Sequence, residues 1–277
     1  MAPTLSQLIP SNSPESGVMR QHEASPQVSA ANKQYGQTTE TRSEHMNATE
    51  IEELNAHRIL EKGAGRDDLL LNRGLLFQYL ANQRAICEAL RPVASLRSGR
   101  NVAVLDVGCG DGASLLHLME LGFSAQIMHG MDIRPSVIER GRRRLPACTL
   151  IVADACNIPY PDATFDLVIE STMFVQEVTN TTIRANIARE MARVTKAGGF
   201  LLIVDWRYSG RGYKAVTRRC LRSLYPGCDI VRSVGGALIP PVGRAISTWC
   251  PSLYFLIHRW CPPLIGLKAN LLCKSFG

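Results

Sequence analysis

The sequence predicts an α/β protein built on a mostly parallel sheet with helices on both faces. Five apolar runs, at Val102–Val107, Ile127–Met131, Thr149–Val152, Phe165–Ile169 and Phe200–Val204, alternate with helical patterns, and such alternation needs crossover connections and hence parallel strands. The first run passes directly into Gly108-Cys109-Gly110-Asp111-Gly112, a string that lets backbone N–H groups and a helix N-terminus approach a ligand that bulkier side chains would exclude. Three successive runs close on an acid, Asp106, Asp132 and Asp154. Ligands of open α/β sheets bind beyond these carboxyl ends.

Taken in order, residues 1–47 are rich in Ser, Thr, Pro, Gln and Asn with few large apolar side chains, the composition of a disordered tail. Residues 48–100 read as N-terminal helices. Thr49 and Glu52 form a capping box ahead of Ile51, Leu54, Ile59 and Leu60, a stripe that ends near Gly63 and Gly65. A second helix is expected over Leu75–Leu90, with Leu76, Tyr79, Leu80, Ile86 and Leu90 as its core face and Pro92 as its stop. Residues 101–210 hold the five runs, and residues 211–277 complete the same domain. Pro135 is placed to open the helix after the second run.

A length of 277 residues, 45% of them hydrophobic, suits one large domain with extensions. The net charge is +7, and its distribution is uneven: from Asp205 onward there are eleven Lys and Arg against two Asp and no Glu, a net +9 that leaves −2 for the rest. The basic end is expected to meet an anionic molecule or an acidic membrane surface, or else to be a solvated face. Nucleic acid is not expected, since no aromatic-interleaved basic stretch or zinc-finger spacing occurs. Nine single Cys without a C-x-x-C pair suggest a reducing compartment and a cytoplasmic protein. No secretory signal pattern is read at the start. The apolar stretches Ala237–Gly243 and Leu253–Ile257 are too short to span a bilayer.

The glycine string alone leaves two ligands open, because Gly108, Gly110 and Ala113 also satisfy the looser dinucleotide fingerprint. Asp106 separates them. A carboxylate there suits a ligand with a cationic amino group and opposes a pyrophosphate. Asp132 is placed to accept hydrogen bonds from ribose hydroxyls. Asp154 is placed to accept one from an adenine amino group, while the N–H of Ala155 donates to the ring.

With these residues the sequence resembles the class I S-adenosylmethionine-dependent methyltransferases. Ile158-Pro-Tyr-Pro-Asp-Ala-Thr-Phe-Asp-Leu-Val-Ile169 is similar to their approach to the fourth strand, and Lys196-Ala-Gly-Gly-Phe200 to their turn into the fifth. The likeness covers about Val102–Trp206 and is strongest to the branch that includes quinone-biosynthesis methyltransferases. Asp68-Leu69-Leu70-Leu71-Asn72 and Asp205-Trp206-Arg207-Tyr208 resemble a bacterial subgroup found near glycan-assembly genes. The resemblance implies a Rossmann-like three-layer α/β/α fold whose mostly parallel seven-stranded sheet has an antiparallel final strand, through a hairpin at Asp229–Val234 and Leu267–Cys273. It implies S-adenosyl-L-methionine as cofactor, with residues 101–210 as its binding core. Gly108, Gly110 and Gly112 would meet the methionine part, Asp132 with neighbouring Ile133 the ribose, and Asp154 with Ala155 the adenine. Asp106 would contact the loop or the amino group, and Glu170 would line the cleft.

A sulfonium is already an activated methyl donor, so alignment with the acceptor supplies much of the rate. For a hydroxyl acceptor Asp205 is the first choice of base, with Tyr208 near it and Glu170 and Glu177 as alternatives. His117 and His129 read as structural, and no metal site is expected. Between the hairpin strands, an insert with Trp249, Leu253, Tyr254, Phe255 and Trp260 is expected to pack in the core, to cover the substrate or to lie on a membrane. The expected acceptor is a small molecule, anionic or membrane-associated, such as a hydroxyl-bearing glycan, lipid or quinone-like intermediate. A nicotinamide-dependent oxidoreductase and a non-catalytic S-adenosylmethionine-binding module are the alternatives.

Overall fold

Seven strands form one sheet in the order β3-β2-β1-β4-β5-β7-β6. They are β1 Val104–Val107, β2 Met128–Asp132, β3 Thr149–Val152, β4 Phe165–Ser171, β5 Thr195–Trp206, β6 Cys228–Gly235 and β7 Leu267–Lys274. The computed structural model describes residues 72–97, 102–176, 180–210, 214–251 and 253–276. The expected tail at 1–47, the helix near 51–63 and Glu177 lie outside these described residues. β7 runs antiparallel to both β5 and β6, and the other neighbours are parallel. The fold is therefore the Rossmann-like α/β arrangement with an antiparallel final strand. Strand order reverses between β1 and β4, which opens a ligand crevice at their carboxyl ends.

Helices fill both faces because the strands alternate. Val104, Leu167, Ile169, Leu202 and Val204 pack on one side against α1 Arg73–Ala89, α3 Ala113–Glu120 and α4 Pro135–Arg144, through residues such as Ala85, Leu115, Leu118 and Ile138. Leu105, Val107, Val168, Leu201 and Ile203 pack on the other against α6 Thr181–Val194 and α7 Arg218–Leu224. Between these lie the short helices α2 Arg91–Arg97 and α5 Met173–Gln176. Strands buried on both faces carry long apolar runs, which is why they stand out in the sequence.

Two expectations need correction. On α1, Tyr79 and Leu80 are 42% and 43% exposed, and the buried face is Ala81, Ala85 and Ala89. Small side chains at i, i+4 and i+8 let the helix approach β6 and β7 closely. Asn72 caps it by accepting the N–H of Leu75 at 3.2 Å. The fifth strand also starts before Phe200, at Thr195, but its pairing with β4 jumps from Phe165↔Thr195 to Leu167↔Phe200. Residues 196–199 form a bulge there.

The hairpin strands fall where the resemblance placed them, and the insert between them is α8 Pro240–Trp249, α9 Leu253–Trp260 and a short turn, Pro262–Leu264. Among the described residues of the insert, Tyr254 is the large side chain buried in the core. Trp249 and Trp260 stand 87% and 75% exposed, so core packing is overturned for them.

Candidate functional site

The glycine loop is tied to β2 before it can touch any ligand. The N–H groups of Gly108 and Cys109 both donate to the Met131 carbonyl, at 2.8 and 2.9 Å. That of Gly110 donates to Asp132 Oδ2 at 3.0 Å. Gly112 (φ 86°) sits left-handed at the N-cap of α3, and a Cβ there would lie 2.4 Å from Leu145 Cδ1. Gly110 is also left-handed, at φ 55°, yet a Cβ there would meet nothing within 4 Å. Gly112 is thus needed for packing. At Gly110 the same backbone leaves open space above the loop, the room a ligand needs for close approach.

Below the loop four acids follow one another along the carboxyl edge. Asp106, Asp132, Glu170 and Asp205 are all buried, on β1, β2, β4 and β5. Asp106 has its carboxyl pushed up to about 7, first by burial and then by Asp132, against a hydrogen bond with Ser114. Its Oδ2 has no hydrogen-bond partner among the described residues. Glu170 uses Oε1 to accept the N–H groups of Met173 and Phe174, at 2.6 and 3.0 Å, and so caps α5. Its Oε2 also has no such partner, and its acid is pushed well up by burial, then by Asp205 and Asp106. Native proteins rarely leave buried carboxylate oxygens unpaired, and when they do a ligand or function is the usual reason. Asp106 shares the α3 side of the sheet with Ser114, so its unpaired oxygen beside the open loop fits a cation, whereas Glu170 lies on the opposite face with Asp205.

Asp132 is differently engaged. Its Oδ1 accepts the backbone N–H and Nε of Arg134, at 3.0 and 2.9 Å, and its Oδ2 accepts Nη2 of the same residue at 2.9 Å. The carboxylate read as a ribose acceptor is therefore held by a forked ion pair from within the chain. Replacing Arg134 by Ala should free it and tighten the binding of S-adenosylhomocysteine by roughly threefold to tenfold, about 1 kcal/mol, in calorimetry. Unchanged or weaker binding would show that the pair does not compete. Asp154 lies two residues beyond the end of β3 and not at it. It accepts the Cys156 N–H at 2.8 Å. Ile133 and Ala155, on either side of this corner, are half-buried.

A cavity of about 260 Å³ opens on the α1 and α3 side of the sheet. Ile169, Leu202, Val204 and Leu267 make its floor. Tyr79, Asn82 and Gln83 of α1, Ser114 and His117 of α3, and Ser171 and Thr172 add polar groups. Thr172 holds φ 64°, a strained conformation for a β-branched residue that costs about 1–3 kcal/mol and is typical of functional corners. Its N–H donates to the Val204 carbonyl at 2.9 Å. Sequence reading missed Arg134, Thr172 and the α1 wall. Only Arg134, a cation two residues beyond a strand-end acid, left any signal.

Asp106, Gly108, Gly110, Asp132 and Glu170 gather at this edge, and Asp154 and Ala155 flank it beyond β2. Asp205 is 1% exposed and accepts the Trp206 N–H at 2.8 Å. It follows Val204, which lines the cavity, so its own side chain belongs to the opposite face, the side of Glu170. The Tyr208 hydroxyl donates to the Pro263 carbonyl, with Arg207 4.7 Å over the ring. It ties the insert to the end of β5. His117 lines the cavity and contacts Cys87 and Glu120. His129 bonds the Tyr160 hydroxyl at 3.0 Å within an aromatic cluster, and burial lowers its pKa.

Sheet order, glycine loop and strand-end acids together define the class I S-adenosylmethionine-dependent methyltransferase fold. Residues 104–199 match the family described as "Methyltransferase domain". The chain is 34% identical over 109 residues to a 2-methyl-6-phytyl-1,4-hydroquinone methyltransferase of a Synechocystis strain, covering 37% of this chain and 31% of that one. It is 26% identical over 174 residues to ajmaline N-methyltransferase of Rauvolfia serpentina, covering 60% and 53%. Among solved structures, magnesium protoporphyrin IX methyltransferase from Synechocystis PCC 6803 with bound SAH superposes with a TM-score of 0.54 at 12% identity, over 80% of this chain and 94% of that one. The matched stretch thus spans about a third to a half of the length of these curated relatives.

Proposed function

We propose that this protein transfers the methyl group of S-adenosylmethionine to a small-molecule acceptor, a hydroxyl of a glycan, lipid or quinone-like compound. The observation that carries the reading is the row of buried acids under an open glycine loop. The donor has an ammonium and a sulfonium, and Asp106, with an unpaired buried oxygen, supplies negative charge to a bound cation where water is excluded. A dinucleotide would bring a pyrophosphate to the same edge and be repelled, which disfavours the oxidoreductase alternative. The chain's residues fit the donor, with Asp106 for its amino group, Asp132 for the ribose and Asp154 with Ala155 for the adenine. When bound, the donor supplies the activated methyl.

The acceptor is assigned to the cavity. Its apolar floor under a polar wall that includes Asn82, Gln83, Glu120 and Arg144 is typical of small-molecule sites, and it suits an amphiphilic ring or chain. Similarity to a hydroquinone methyltransferase supports the same preference. The chain's task is to hold the acceptor oxygen in line and keep water out. Asp205, the base expected from the sequence, faces the side of the sheet away from this cavity, so a base for an acceptor held there comes from another residue. Incubation with methyl-labelled S-adenosylmethionine and fractionated cell extract tests the reading: label should enter the lipid or small-molecule fraction. Cofactor binding without label in any fraction would instead establish a non-catalytic binding module. With the acceptor in hand, Asp205→Asn should leave kcat within about threefold, because this side chain faces away from the cavity. A loss of more than roughly tenfold in kcat at unchanged S-adenosylhomocysteine affinity would make Asp205 the proton acceptor after all.

A further inference from the structure

The inner side of the insert is closed against the domain. The Phe77 ring packs on Tyr254 and Phe255 at 5.4 and 6.0 Å. Leu238 N–H donates to the Tyr254 hydroxyl at 3.2 Å, and Ala237 N–H to Asn82 Oδ1 at 2.8 Å. Its outer side is different. Leu253, Leu256 and Trp260 recur at i, i+3 and i+7 on α9 and are 42%, 50% and 75% exposed, with Trp249 at the end of α8 standing 87% exposed. Such a stripe is normally the buried face of a helix, and here it faces outward. No charged residue occurs between Arg244 and His258, and no Asp or Glu follows Asp229 to the C-terminus.

One cation is tied to the turn that ends this apolar face, and two more lie near it on the α7 side of the sheet. Arg207 donates to the carbonyl of Pro262 at 3.3 Å, in the turn that follows α9. Arg207 and Arg218 both act electrostatically on Lys268, which pairs with Asp205 across β5 and β7. None of the three forms a side-chain ion pair among the described residues. Exposed Trp and Leu next to uncompensated cations match the boundary of a bilayer, where rings and aliphatic chains enter the acyl edge and cations meet phosphates. A second copy of this face would bring like charges together. A neutral apolar partner would leave Arg207 unmatched.

We propose that the outer face of α8 and α9, with Arg207 at the turn that follows it, docks this protein on an anionic lipid bilayer. The surface does not depend on the methyltransferase reading, and it would place α1, which walls the cavity, close to a membrane carrying an amphiphilic acceptor. The test uses the full chain with phosphatidylcholine vesicles, with and without phosphatidylglycerol, at low and high salt. The protein should float with the anionic vesicles, bind them more than roughly tenfold better than neutral ones, and lose them as salt rises. Its Trp emission should shift to the blue and become quenched by bromine-labelled acyl chains. The Trp249→Ser/Trp260→Ser double variant should lose vesicle binding and keep its affinity for S-adenosylhomocysteine. Absence of vesicle binding overturns the proposal, as does undiminished binding by the double variant. A wild-type dimer that the double variant dissociates would assign the face to a second copy. If the double variant fails to fold, bromolipid quenching of the native protein decides: unquenched Trp fluorescence with vesicles overturns the proposal.

Discussion

Replacing Asp106 by Asn should raise the stability of the ligand-free protein at about pH 8 while weakening its binding of S-adenosylhomocysteine by roughly a hundredfold. Both effects follow from one buried carboxyl with an unpaired oxygen. Its pKa is raised from 3.8 to about 7 in the folded chain, so the folded state keeps a proton that the unfolded chain releases near 4. The stabilisation from this group is fully present below about pH 4 and is lost as pH rises through about 7. Above that, a buried anion costs on the order of 4 kcal/mol from the shift alone. Asn removes the charge but leaves a buried amide, so a net gain of about 1–3 kcal/mol is expected, several degrees in Tm. The wild-type Tm should fall from about pH 4 to pH 7, and that of the variant should fall less. Equal pH profiles would show that Asp106 keeps an ordinary pKa. The affinity loss has the opposite sign because the ligand ammonium compensates that anion, and Asn offers it no charge.

The second large effect separates the glycines. Gly110→Ala places its Cβ in open space, so the fold should survive with a loss of about 1–2 kcal/mol for the left-handed backbone. S-adenosylhomocysteine affinity should fall by more than roughly tenfold, because the methyl takes the space over the loop. Gly112→Ala drives its Cβ toward Leu145, itself 3% exposed. It should cost about 1–3 kcal/mol in stability through overpacking added to the backbone strain. Thermal unfolding and calorimetry on the two variants check the contrast. An unchanged affinity in Gly110→Ala would remove the loop face from the site.

β1, β2, β4 and β5 were legible because they are buried on both faces and so carry apolar runs, whereas β6 is half-buried to exposed and was placed only by the family resemblance. The acids were legible because each stands at or just beyond the carboxyl end of its strand. The N-terminal helix was read on its largest residues, and Tyr79 and Leu80 proved exposed while three alanines made the contact. Hydrophobic periodicity weights size, whereas close helix–sheet approach selects small side chains. The Arg134–Asp132 pair and the left-handed Thr172 depend on local backbone geometry that no spacing encodes. The cavity joins α1 to the ends of β4 and β5, segments some ninety residues or more apart, roughly a third of the chain. That adjacency comes only from tertiary packing. The insert aromatics were read as core, substrate cover or membrane contact, and the structure turns Trp249 at the end of α8 and Trp260 at the end of α9 outward while Tyr254 packs inward.

Calorimetric titration of the wild-type protein with S-adenosylhomocysteine, in two buffers of different ionisation heat at about pH 7, tests the acid row most directly. Asp106 is then about half protonated, and pairing with the ligand ammonium ionises it fully. The expected result is binding at one site with release of about half a proton per ligand, and with that release absent in Asp106→Asn. Binding that moves no proton, or no binding at all, would contradict the assignment of this edge to the methyl donor.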